Sequence, residues 1–161
     1  MSSTTATLAD DARGRGLVSM PAVALIWIGA VLAVAMEAGA RFQAPLITRE
    51  VAFDVGRTVF TMFNRVEIVL AVLATILTLW QRERAMARWA VLVAVCALIV
   101  QTLVLLPALN ARADVIIAGG DVAPDGSHAG YLAAEGIKLV ALAVAAHVGL
   151  RGLRGLRGRG Q

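Results

Sequence analysis

Four long apolar stretches constrain this chain more than any other feature. They cover residues 20–40, 59–80, 86–106 and 130–150, each close to the ~20 residues a helix needs to cross a hydrocarbon core ~30 Å thick. Backbone amides in lipid must bond within their own segment, so such stretches read as helices. The alternation over ~10 residues that marks β-barrel strands is absent. Composition agrees: 59% of residues are apolar, 16% are charged and the mean hydropathy is +0.77, against ~45–50% apolar and ~25% charged in soluble domains. The expected fold class is therefore all-α: a polytopic membrane protein with four transmembrane helices in an antiparallel bundle. The single cysteine, Cys96, excludes an intrachain disulfide framework.

The first stretch has signal-peptide features, with Arg13 and Arg15 before it and Ala33-Val34-Ala35 within it. Its apolar run exceeds the ~7–15 residues of a signal sequence, so it is expected to be a retained helix. Arginines outside the spans set the orientation. Arg13, Arg15, Arg82, Arg84, Arg88, Arg151, Arg154, Arg157 and Arg159 make nine on one side; Arg41, Arg49, Arg57 and Arg112 make four on the other. Both termini are thus expected in the cytoplasm of a bacterial cell, with the protein integral to its inner membrane. The organisation reads as a tail (1–19), a four-helix domain (20–150) and a basic tail (151–161).

The connections differ. Residues 81–85 make a tight hairpin. Residues 45–56 mix Leu46, Ile47, Val51, Phe53 and Val55 with Arg49, Glu50 and Asp54; this reads as a short interfacial helix broken near Gly56. Gly119-Gly120-Asp121 and Asp125-Gly126-Ser127 signal a true loop. The Arg-Gly repeat after Leu150 reads as a collar at anionic lipid headgroups, where each arginine contributes about 1 kcal/mol. No nucleic-acid partner is expected.

Ionisable groups inside a span cost about 2.5–3.5 kcal/mol on insertion scales and need a reason. They fall in the outward halves of the spans. Glu37 and Arg41 lie at the end of the first, and Asn64, Arg65 and Glu67 early in the second. Gln101 lies late in the third, and His128, Tyr131, Glu135 and Lys138 follow one face of the fourth. A second stripe runs Thr61, Asn64, Glu67, Ala71, Thr75, Thr78. Facing one another, these residues form an outward-opening polar pocket. Gly29, Ala33, Ala141, Ala145 and Gly149 are expected to permit close helix packing. Glu37, Glu67 and Glu135 balance Arg41, Arg65 and Lys138, with Glu67 compensating Arg65 and Glu135 compensating Lys138. A balanced set is what a structural ion-pair network needs, whereas a site for a free cation keeps excess negative charge.

The order of these residues resembles a known family. Residues 36–46 (MEAGARFQAPL), residues 55–67 (VGRTVFTMFNRVE), Gln101 with Pro107, and residues 128–131 (HAGY) are similar to the four-helix membrane family typified by transmembrane protein two-hundred-and-five. That family is remotely related to the copper-resistance D membrane proteins. The matching positions are Ala44, Pro45, Phe60, Asn64, Arg65, Glu67, Gln101, Pro107 and His128. The resemblance implies a four-helix membrane fold with a solute- or metal-related role and no catalytic residues.

Copper would require soft or imidazole ligands, for which the candidates are Met36, Met62 and His128. The Glu-x-x-His repeat of di-iron bundles is missing. His128 and His147 are roughly 28 Å apart along one helix and cannot share one haem. No phosphate loop, nucleophile elbow or zinc-protease motif occurs, so an enzyme is not indicated. The favoured function is small-solute or metal-ion handling by a homo-oligomer or larger membrane complex. The alternatives are an accessory subunit of a membrane complex and a membrane redox protein holding haem or copper.

Overall fold

The computed structural model describes residues 19–81, 84–123 and 125–157, with side chains as far as Arg151. The N-terminal tail with Arg13 and Arg15, Arg82 in the hairpin, and the arginine side chains beyond Arg151 lie outside the described residues. The described chain forms four long helices. They are α1 (Met20–Gln43), α2 (Arg49–Trp80), α3 (Ala85–Ile117) and α4 (Ser127–Arg157). All four are long and apolar enough to cross a membrane. No strand occurs among the described residues. α1 packs on α2 and α4, and α3 packs on the same two.

Apolar and small side chains make the centre. Met20, Ala24, Trp27, Ala74, Ala87, Ala94, Leu142 and Ala145 are fully buried. Alanines let the backbones approach where there is no hydrophobic drive to pull helices together in lipid. The expected close approach is present on α4, where Ala141, Ala145 and Gly149 are buried. A side chain at Gly149 would run into Pro21 and Met20 of α1. On α1 the expectation fails: Gly29 and Ala33 are exposed, and Val23, Ala24, Trp27 and Val31 face the core instead.

Two helices run further than the sequence suggests. Residues 49–56 do not form a separate helix broken at Gly56; they are the first turns of α2. Thr48 starts that helix, its Oγ1 accepting from the Val51 amide at 3.4 Å. Gly56 is tolerated because the Arg41 guanidinium of α1 lies against it, and a Cβ there would sit 2.8 Å from Nη1. α3 likewise passes Pro107 to Ile117. Residues Gln101–Leu105 adopt a π-helical turn, and the Leu106 amide donates to Gln101 O. A proline inside an α-helix clashes with the carbonyl four residues earlier. The wider turn immediately before Pro107 relieves that clash, and such turns recur at functional sites.

The extensions meet at the end of the bundle that carries the loops. Arg57 pairs with Asp114 across α2 and α3 and with Asp54 at 2.8 Å; Arg49 pairs with Asp121 at 3.0 Å. α3 closes on Gly119 at φ 81°, with Gly119 N donating to Ile116 O and Gly120 N to Val115 O, both 2.9 Å. That is a Schellman stop, which requires the left-handed residue. Asp125 accepts from the Ser127 amide at 3.0 Å and from its hydroxyl, so α4 begins at Ser127. The Ser127 hydrogen bonds, helped by Arg112, hold the Asp125 carboxyl below its ordinary range.

Candidate functional site

Near the middle of the bundle, one side chain from each helix meets the others. α2 contributes Glu67, α3 Gln101, and α4 Lys138, all fully buried. α1 contributes Trp27, also fully buried. The Lys138 ammonium donates to Glu67 Oε1 and, at 2.8 Å, to Gln101 Oε1. Glu135, one turn before Lys138, lies 3.0 Å from the ammonium through Oε1. Its Oε2 accepts from Gln101 Nε2 at 2.6 Å. The Trp27 indole N–H donates to Glu67 Oε1 at 2.8 Å. Gln101 is therefore both donor and acceptor at the centre, and its other amide contact is the Tyr131 carbonyl at 3.4 Å. The π-turn begins at this residue.

Asn64 sits one turn from Glu67 and is buried. Its Nδ2 donates to Thr102 Oγ1 at 2.8 Å, and Thr102 donates to Leu98 O at 2.8 Å. Tyr131 is buried and packs edge-on against Phe60 with ring centroids 5.6 Å apart. The sequence-expected interior set of Asn64, Glu67, Gln101, Tyr131, Glu135 and Lys138 is thus brought together.

Other expected members are not. Arg65 is exposed. It lines an open notch of 310 Å³ with Arg57, Thr58, Thr61, Met62 and Asn110, and Glu67 pairs with Lys138 instead. His128 is exposed at the start of α4. Met36 and Met62 are exposed by 77% and 62%, so the three suggested copper ligands do not form a buried site. Among the described residues no three of His, Cys, Asp and Glu are grouped to hold a metal ion. The α2 stripe turns inward at Ala74 and not at Thr75, whose hydroxyl bonds back to Ala71 O at 2.7 Å. Thr75 lines an apolar groove of 410 Å³ between α2 and α3 with Ile68, Val72 and Leu103.

Glu37 and Arg41 form a second, separate pair at 3.4 Å. Arg41 packs on Gly56, which is 11 residues from Glu67 on α2, or roughly 16 Å along the axis. Arg41 is buried, and its Nε and Nη1 have no hydrogen-bond partner.

These placements change the charge balance. With Arg65 outside and Glu37–Arg41 distant, the centre holds two carboxylates and one ammonium. Two of its carboxylate oxygens, Glu67 Oε2 and Glu135 Oε1, are buried without a hydrogen bond. The excess is negative, and an isolated ionised carboxylate is costly in a low dielectric.

Trp27 and Thr102 belong to this site although neither stands out as polar. Trp27 had one available signal. Tryptophan favours the membrane–water boundary, where Trp80 and Trp89 flank the hairpin and are exposed, yet Trp27 lies inside a span. Compared with family models, with curated proteins and with solved structures, the chain matches none.

Proposed function

We propose that the chain is an integral membrane protein that handles a small solute, best matched by a cation, at the buried centre formed by Glu67, Gln101, Glu135 and Lys138. The observation that carries this reading is the unequal count of two carboxylates to one ammonium, buried within four membrane-length helices. Ionisable groups inside a span mark ion or substrate pathways by default. A network kept only for folding would sooner balance its charges or be replaced by well-packed apolar residues. Four helices are few for alternating access, which usually uses repeats, so the working unit is a homo-oligomer in the bacterial inner membrane. The motif resemblance to the four-helix family supports a solute role, and the candidate copper ligands Met36, Met62 and His128 are all exposed.

The test is flux. Vesicles reconstituted with the protein should dissipate an imposed proton or monovalent-cation gradient faster than empty vesicles, and Glu135→Gln should return the rate to leak. Equal rates with and without protein would defeat the reading. Recovery of the chain with a second polypeptide in fixed ratio would then favour an accessory subunit, a role the burial of the centre between the helices also suits.

The arginine bias of nine to four supports cytoplasmic termini. A Ser127→Cys variant with Cys96 replaced should react with a membrane-impermeant maleimide added outside intact cells. Labelling only after lysis would reverse the orientation.

A further inference from the structure

We propose that Glu67 and Glu135 together hold one exchangeable proton, making the Glu67–Lys138–Glu135 triad a proton-binding site. This deepens the cation reading above and rests on it. The argument starts from the charge count. Lys138 compensates one carboxylate, and the second is left with no cation. Among the described residues, the groups facing the triad supply none. From α1 comes the neutral Trp27, from α3 the neutral Gln101, and from α4 the phenol Tyr131 one turn away. On α2, Asn64 is neutral and Arg65 points out; Glu37 and Arg41 compensate each other some turns away.

A proton fits this charge excess better than a metal ion. Hard divalent cations take about 6–8 oxygen ligands. Among the described side-chain oxygens of the triad, only Glu67 Oε2 and Glu135 Oε1 are unclaimed by a hydrogen bond, and Oε1 already lies 3.0 Å from the ammonium. One proton on either carboxyl converts the pair to one acid and one carboxylate and brings the triad to neutrality. No bond other than O–H forms or breaks, and no co-reactant is required. Glu135 is the member of the triad through which exchange runs, since its side chain retains 15% exposure at the bundle surface while Glu67 and Lys138 retain none.

Infrared pH-difference spectroscopy of the protein in lipid nanodiscs tests this directly. The wild type should show one carboxylic-acid C=O band beyond those of its exposed carboxyls. That band should shift in D₂O and vanish on alkaline titration. It should be absent from Glu135→Gln and from Glu67→Gln, each of which already has one carboxylate to one ammonium. Should neither variant fold, the D₂O shift and the titration of the wild type alone decide. No such band in the wild type overturns the proposal. If, in addition, sodium protects the wild type against heat but not Glu135→Gln, a metal cation is the occupant and the cation reading survives. A band that neither shifts in D₂O nor titrates means a proton fixed for folding, which overturns both the proposal and the cation reading beneath it.

Discussion

Replacing both carboxylates, Glu67→Gln with Glu135→Gln, should lower stability in detergent by about 3–5 kcal/mol, the cost of stranding one buried member of an ion pair. Each glutamine keeps the volume and an acceptor oxygen, so the loss reports charge and not shape. Lys138 is fully buried and would face only amides. Either single substitution leaves it one carboxylate, and should cost only about 0.5–1.5 kcal/mol, the net worth of an ordinary hydrogen bond. Adding Lys138→Met to the double variant should recover most of the loss, since replacing a whole buried ionic set by apolar groups is often neutral or stabilising. Thermal unfolding of the four variants in one detergent measures all three statements. A double variant as stable as wild type would mean that water reaches the ammonium, and the closed centre described above would be wrong. Single losses as large as the double would mean that Glu67 and Glu135 do not share Lys138.

Much of this was legible before any coordinates. The four spans follow from length and hydropathy, the interior placement of Glu67 and Lys138 follows from the polar stripes on the second and fourth spans, and Gln101 follows from directing those stripes at it. Arg65 was misplaced although the same periodicity speaks against it. It lies two residues from Glu67, roughly 200° around the helix, and so cannot share its face. Counting it with the interior produced a neutral set and hid the negative excess. Other features were not available from one sequence. Gly56 reads as a breaker because its local chemistry says so; its actual use is set by Arg41, which arrives from another helix. Pro107 lies just past the apolar stretch 86–106, and the π-turn ahead of it lets α3 continue and carry Asp114 to Arg57. At Gly56 a long-range contact decided the case against the local signal.

Trp27 carries the other large expected effect, because it is both the biggest fully buried side chain and a donor to the central carboxylate. Trp27→Ala should cost about 3–5 kcal/mol from lost contacts and the cavity left behind. Trp27→Phe keeps much of the ring and removes the N–H, and should cost about 1.5–3 kcal/mol, the net worth of a hydrogen bond to a charged group, while Lys138 remains as donor to the same oxygen. The remaining tryptophans, Trp80 and Trp89, are exposed by 80% and 66%. Emission from the intact protein should therefore contain a component from Trp27 that is the least accessible to an aqueous quencher, which the Phe variant removes without unfolding. The ammonium of Lys138 is 6.0 Å from the indole centroid, at the outer limit for a cation–π contact, so the hydrogen bond to Glu67 and not the ring face is what couples Trp27 to the charges. A double-mutant cycle isolates that coupling. Trp27→Phe made in a Glu67→Gln background should cost clearly less than in wild type, because a neutral amide oxygen is a weaker acceptor than a carboxylate. Equal costs in both backgrounds would reduce Trp27 to packing. A smaller cost in the second would show that α1, which contributes no charge at this level, still sets how tightly Glu67 is held.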